Sequence, residues 1–136
     1  MRADLPWLTS GPLHRVHTSA RAELDVFLGR HGYRQVHLDG RAMTSRPAAH
    51  AELARAFRFP EHYGRNWDAF DDSMWDVADA HRGELVAVVW EHLDAAAPAT
   101  LVEVGHALLA QQTDVESALT AFDVFALGSG ADFDRP

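Results

Sequence analysis

The sequence predicts a single-domain α/β layer fold, and three observations carry that prediction. Segments with a strand-like pattern alternate with segments of helical periodicity, so successive strands are joined by crossovers and pair in parallel. One segment, Glu84 to Trp90, is nearly all apolar and rich in β-branched residues, as a strand covered on both faces must be. A length of 136 residues, 47% of them apolar and 24% charged, suits one hydrophobic core and is short for two.

In chain order, residues 1 to 11 read as a loose arm and Leu13 to His17 as a short strand. Thr18 or Ser19 offers an N-cap oxygen to a helix that turns Ala20, Leu24, Phe27, Leu28 and His31 to one side and closes at Gly32. Tyr33 to Leu38 alternates as a strand does and meets the turn pair Asp39-Gly40. Pro47 suits the first turn of a helix with Ala49, Leu53, Ala56 and Phe57 on its apolar side, and Pro60 forbids its continuation. Glu61 to Arg65 is a loop, and Asn66 caps a helix from Trp67 to about Ala78. After the apolar strand, Pro98 opens a helix to about Gln111 with Leu101, Val104, Leu108 and Leu109 inward, and Ala121 to Leu127 forms the last strand. The expected organisation is an N-terminal extension over residues 1–32, a core over 33–128 and a polar tail over 129–136.

Composition excludes several classes of function. Without cysteine there are no disulfides, thiolate nucleophiles, iron–sulfur clusters or cysteine zinc sites, and a metal could be held only by His and carboxylates. The longest apolar run, Leu85 to Trp90, is far below the ~20 residues that span a bilayer. The first residues lack the apolar stretch of a signal peptide, so a cytoplasmic protein is expected. Twelve basic residues, all Arg, against 20 acidic ones give a net charge of −8, which argues against direct binding to nucleic acid or an anionic membrane. A basic partner is the natural one. Nothing in the chain calls for a cofactor.

Six of the acids, Glu61, Asp68, Asp71, Asp72, Asp76 and Asp79, fall between residues 61 and 79 against one base, Arg65. At ~100° per residue, Trp67, Phe70, Met74, Val77 and Ala78 share one arc of the helix, while Asp68, Asp71, Asp72 and Asp76 share the opposite arc with Trp75. Like charges at i and i+4, such as Asp68 and Asp72, weaken a helix, and only Asp68 is near enough to the positive helix end to be compensated. An exposed Trp among unopposed acids turns a solvated face into a candidate interface. Two enzymatic readings compete. Asp71, Asp72 and Asp76 loosely match the Mg²⁺-holding motifs of pyrophosphate enzymes, but no second acidic helix completes such a site. His62 near Asp68 could form a general-base pair, but a nucleophile motif such as Gly-x-Ser-x-Gly is missing. The remaining histidines are scattered and suit structural or surface roles.

The run Phe59-Pro60-Glu61-His62-Tyr63-Gly64-Arg65-Asn66-Trp67-Asp68-Ala69-Phe70-Asp71-Asp72 resembles the signature of the barstar family of ribonuclease inhibitors. Its Pro-x-x-Tyr-Gly-x-Asn-x-Asp-Ala core, the Asp four residues beyond, and the Leu38-Asp39-Gly40 turn match in order and spacing, and the element order fits from about Tyr33 to Trp90. The resemblance implies a three-stranded parallel sheet packed with helices, carrying here an N-terminal helical extension. It also implies a non-enzymatic inhibitor of a basic, barnase-like extracellular ribonuclease or toxin nuclease, acting inside the producing cell. By resemblance Asp72 enters the phosphate-binding site of the enzyme, Asp68 makes a second ionic contact, Asn66 and Trp67 lie at the interface, and His62 replaces an aromatic contact. Tyr63 would anchor the loop in the core, and Gly64 would supply a positive φ at the turn.

The chain also departs from the family prototype. Asp71 stands where the prototype has Trp, His62 where it has Tyr, and Trp75 where it has a small polar residue. Trp75, with Asp71 and Asp76, therefore completes the expected partner-binding set, its aromatic contact moved one turn along the helix. A barstar-like fold reused to bind another basic protein, and a metal-dependent hydrolase, are the alternative readings.

Overall fold

The strands are Leu13–His17 (β1), Arg34–Asp39 (β2), Leu85–Glu91 (β3) and Ala121–Gly128 (β4); the helices are Arg21–Arg30 (α1), Arg46–Phe57 (α2), Trp67–Ala80 (α3) and Pro98–Asp114 (α4). They come from a computed structural model describing residues 5–8 and 13–136. All four strands are parallel, in the order β1-β4-β3-β2. The sheet thus has one strand more than the three expected, because Leu13–His17 pairs with β4 as a new edge, Leu13 opposite Val124 and Val16 opposite Leu127.

The apolar run of β3 is explained by its central place. Val86, Val88 and Trp90 face a core shared with α2, α3 and α4, where Val36, Val88 and Val124 form one row across three strands. Ala87 and Val89 point the other way, into a second cluster with Phe125 and Leu127 under Leu24, Phe27 and Leu28 of α1. Each large apolar side chain so enclosed stabilises by roughly 1.5–3 kcal/mol relative to exposure.

Several expectations about element ends need correction. Neither Thr18 nor Ser19 caps α1: Thr18–Ala20 is a 3₁₀ turn, and the His17 ring nitrogen Nδ1 accepts the Ser19 N–H at 3.1 Å. The helix closes as expected at Gly32, with φ 72. Part of the arm is not loose, since Leu5 and Leu8 are buried beside α1; residues 1–4 and 9–11 lie outside the described residues. α4 runs on to Asp114 and buries Thr100 and Gln111 with Val104 and Leu108, leaving Leu101 and Leu109 half-buried. The C-terminal tail carries an apolar anchor: Phe133 lies on Gly128, where a Cβ would come within 2.3 Å of its ring. Asp134 then pairs with β1, donating to Arg15 O at 2.8 Å and accepting from His17 N at 2.7 Å.

The opposite edge, β2, is partly closed by one buried carboxylate. Glu52 of α2 accepts the Asp39 N–H at 2.8 Å and both arms of Arg55, whose Nη2 also reaches His37 O at 3.0 Å. Among the described residues no helix is long and apolar enough to cross a membrane.

Candidate functional site

The loop before α3 is pinned from beneath. Tyr63 is buried, packs at 4.9 Å from the Phe59 ring, and its hydroxyl lies 2.6 Å from His50 Nδ1. Burial, with the nearby charge of Asp71, pushes that phenol up to about 12, so it stays protonated. His50 is fully buried; its ring packs against Trp67 with centroids 4.3 Å apart, and Trp67 meets Phe70 edge-on at 5.6 Å. His50 Nε2 has no hydrogen-bond partner among the described residues. Burial lowers the His50 pKa, and the positive charges of Arg46 and Arg65 act in the same sense.

The helix start is fixed by Asn66, whose extended backbone lets Oδ1 accept the Ala69 N–H at 2.8 Å while Nδ2 donates to Gly64 O at 3.3 Å. The expected role of Gly64 is corrected here. The positive φ belongs to Arg65, at 53°. Gly64 is instead confined by packing, since a Cβ there would sit 3.3 Å from both Ala69 Cβ and Asn66 Nδ2.

From this fixed start α3 buries Phe70, Met74 and Ala78, half-buries Trp67 and Val77, and exposes the opposite side. Asp68, Asp72 and Asp76, at i, i+4 and i+8, are exposed, and no hydrogen bond or ion pair within the described residues engages them. Trp75 stands among them 44% exposed. His62 is exposed on the loop and Asn66 at the helix start. Toward the C-terminal end the negative row is interrupted, because Asp79 pairs with Arg82 at 2.7 Å.

Asp71 does not share the arc of Asp68, Asp72 and Asp76 as expected: four residues after Trp67 it lies only ~40° from it around the helix axis, at the border of the buried side and against α4. It accepts a hydrogen bond from Gln111 Nε2 of α4 at 2.7 Å. Partial burial raises its pKa, the charges of Asp114, Asp68 and Asp72 push the same way, and only the Gln111 bond opposes them. Asp114, exposed at the end of α4, therefore extends the negative surface onto a second helix. The sequence reading did not find His50, Gln111 or Asp114. The spacing of Gln111 and Asp114 put them on one side of α4, but nothing local said that this side meets α3. Among the described residues no group of three or more His, Asp or Glu is gathered so as to hold a metal ion.

The family model described as Barstar (barnase inhibitor) matches residues 33–126, which is more than half of the chain. The chain belongs to the barstar family. No curated protein matches it in sequence. Barstar-family proteins are inhibitors that bind a ribonuclease, not enzymes. The matched stretch holds the loop, all of α2, α3 and α4, and the three strands β2, β3 and β4 up to Ala126; β1 and α1 precede it.

Proposed function

We propose that this barstar-family chain inhibits a basic, barnase-type ribonuclease inside the producing cell by presenting the acidic side of α3 to the enzyme's phosphate-binding site. The observation that supports this reading above others is the row Asp68, Asp72 and Asp76, exposed and free of internal cations on a helix whose start is fixed by Asn66. A ribonuclease must hold a phosphodiester with Arg, Lys or His, and carboxylates on a rigid helix meet the same groups. Charge-assisted, often bidentate bonds to guanidinium are of the strong kind once water leaves the cleft. Inhibition then needs no bond making and competes directly with RNA. Trp75 supplies the aromatic anchor, with His62, Asn66, Trp67 and Asp71 around it. Asp114 adds negative charge at one side.

The test is calorimetric titration and an RNA-cleavage assay against barnase and other basic ribonucleases of that type. Competitive inhibition is expected. Asp72→Ala should weaken binding most, by about 30-fold or more as for a central hot spot, and Asp68→Ala less, with folding unchanged in both. Equal affinities for the wild type and Asp72→Ala would overturn the assignment. Binding only to basic proteins that lack nuclease activity would instead favour a barstar-fold binding module.

A further inference from the structure

Several Arg and His side chains line the β2 edge of the sheet. A groove of about 420 Å³ is lined by Arg34, Val36, Arg55, Arg58, Val77 and His81, and a second of about 200 Å³ continues it past His37 and Arg55 to Arg41. Not all of these charges are available. Arg34 and His81 share Glu84, at 2.8 and 2.6 Å, Arg55 is held by Glu52, Arg41 pairs with Asp39 at 2.9 Å, and His37 lies 3.5 Å from Glu91. Arg58 is exposed, with no ion pair among the described residues, and it occupies the left-handed position closing α2, at φ 59. That position ordinarily favours Gly or Asn, and a bulkier residue there costs about 1 kcal/mol.

The backbone beside Arg58 is also incompletely paired. A strand turns alternate residues' N–H and C=O groups to opposite sides, and in β2 the outward groups Asp39 N–H and His37 C=O are taken by Glu52 and Arg55. By the same alternation Gln35 N–H, Gln35 C=O and His37 N–H face outward, and among the described residues no loop or helix bonds to them. Such an edge is a template for strand addition, and here the guanidinium of Arg58, unpaired among the described residues, lines the same groove.

We propose that the lower half of β2 binds an extended acidic peptide segment as an added strand, its backbone pairing with Gln35 and His37 and a carboxylate reaching Arg58. This surface uses none of the α3 acids, so the proposal stands or falls apart from the inhibitor reading.

The experiment is an amide NMR titration of the full chain with an acetylated, amidated peptide of three Glu-Val repeats, with a Lys-Val repeat and AMP as comparison probes. Saturable shifts at the Gln35 and His37 amides are expected with the acidic peptide below ~1 mM. Arg58→Glu should weaken it about tenfold, and Gln35→Pro, tolerated on an edge strand, should abolish it; circular dichroism checks that both variants fold. Equal binding of the Lys peptide, or no shift with the Glu peptide, overturns the proposal. AMP shifting the Arg58 signals with Gln35 unmoved also overturns it and assigns the groove to a phosphate compound.

Discussion

Asp71 and Asp72 are adjacent in the chain and opposite in setting: one is tied to α4 through Gln111, the other is free in solvent. A carboxyl raised above its ordinary 3.8 favours the folded state only while protonated, and that contribution disappears as pH rises through the folded value. Asp71→Asn keeps an oxygen for Gln111 and removes the charge. It should stabilise at pH 7 by roughly 0.5 kcal/mol or less after solvent screening, and not at pH 3, as urea unfolding at the two pH values will show. His50 has the opposite sign. Its lowered pKa means the unfolded chain takes the proton first, so stability is complete above the ordinary 6.5 and falls as pH drops below it. Comparing urea midpoints at pH 7.5 and 5.5, the wild type should lose more than His50→Gln. The exposed Asp72, Trp75 and Asp76 were legible from helical periodicity alone. His50 was not, because its burial depends on Tyr63 and Trp67, 13 and 17 positions further on.

At the level of elements, the caps and breakers spoke clearly where the chemistry is local. Asn66, Pro47 and Pro98 mark helix starts, and Pro60 follows closely on the end of α2. The end of α4 was missed by three residues because no Gly or Pro follows Gln111, and the His17 cap was missed because imidazole is not a usual capping group. Asn66→Ala should cost about 1 kcal/mol of stability and loosen the approach to the acidic row, read as a lower Tm with weaker nuclease binding. Glu52 is a sharper case. Replacing it with Ala leaves the Asp39 N–H unpaired beside the core and frees Arg55 to solvent, a loss of about 1–3 kcal/mol in urea unfolding. No periodicity rule foresees a buried Glu on the apolar side of a helix; the edge strand it serves comes 13 residues earlier.

For the whole molecule, a net charge of −8 with a row of unopposed acids on α3 should steer a cationic enzyme inward from a distance. Association with a basic ribonuclease, followed by stopped flow, should therefore slow steeply between about 50 and 500 mM salt while dissociation changes little. The parallel α/β class was readable from the alternation of elements, and the strand order was not, since β1 takes the far edge through pairing with β4. The sheet is also two-sided: Ala87, Val89, Phe125 and Leu127 need the cover that Leu24, Phe27 and Leu28 provide. A recombinant fragment trimmed to residues 33–126 would expose that greasy plane to water, and it should clump on expression unless the discarded amino-terminal piece is supplied alongside it.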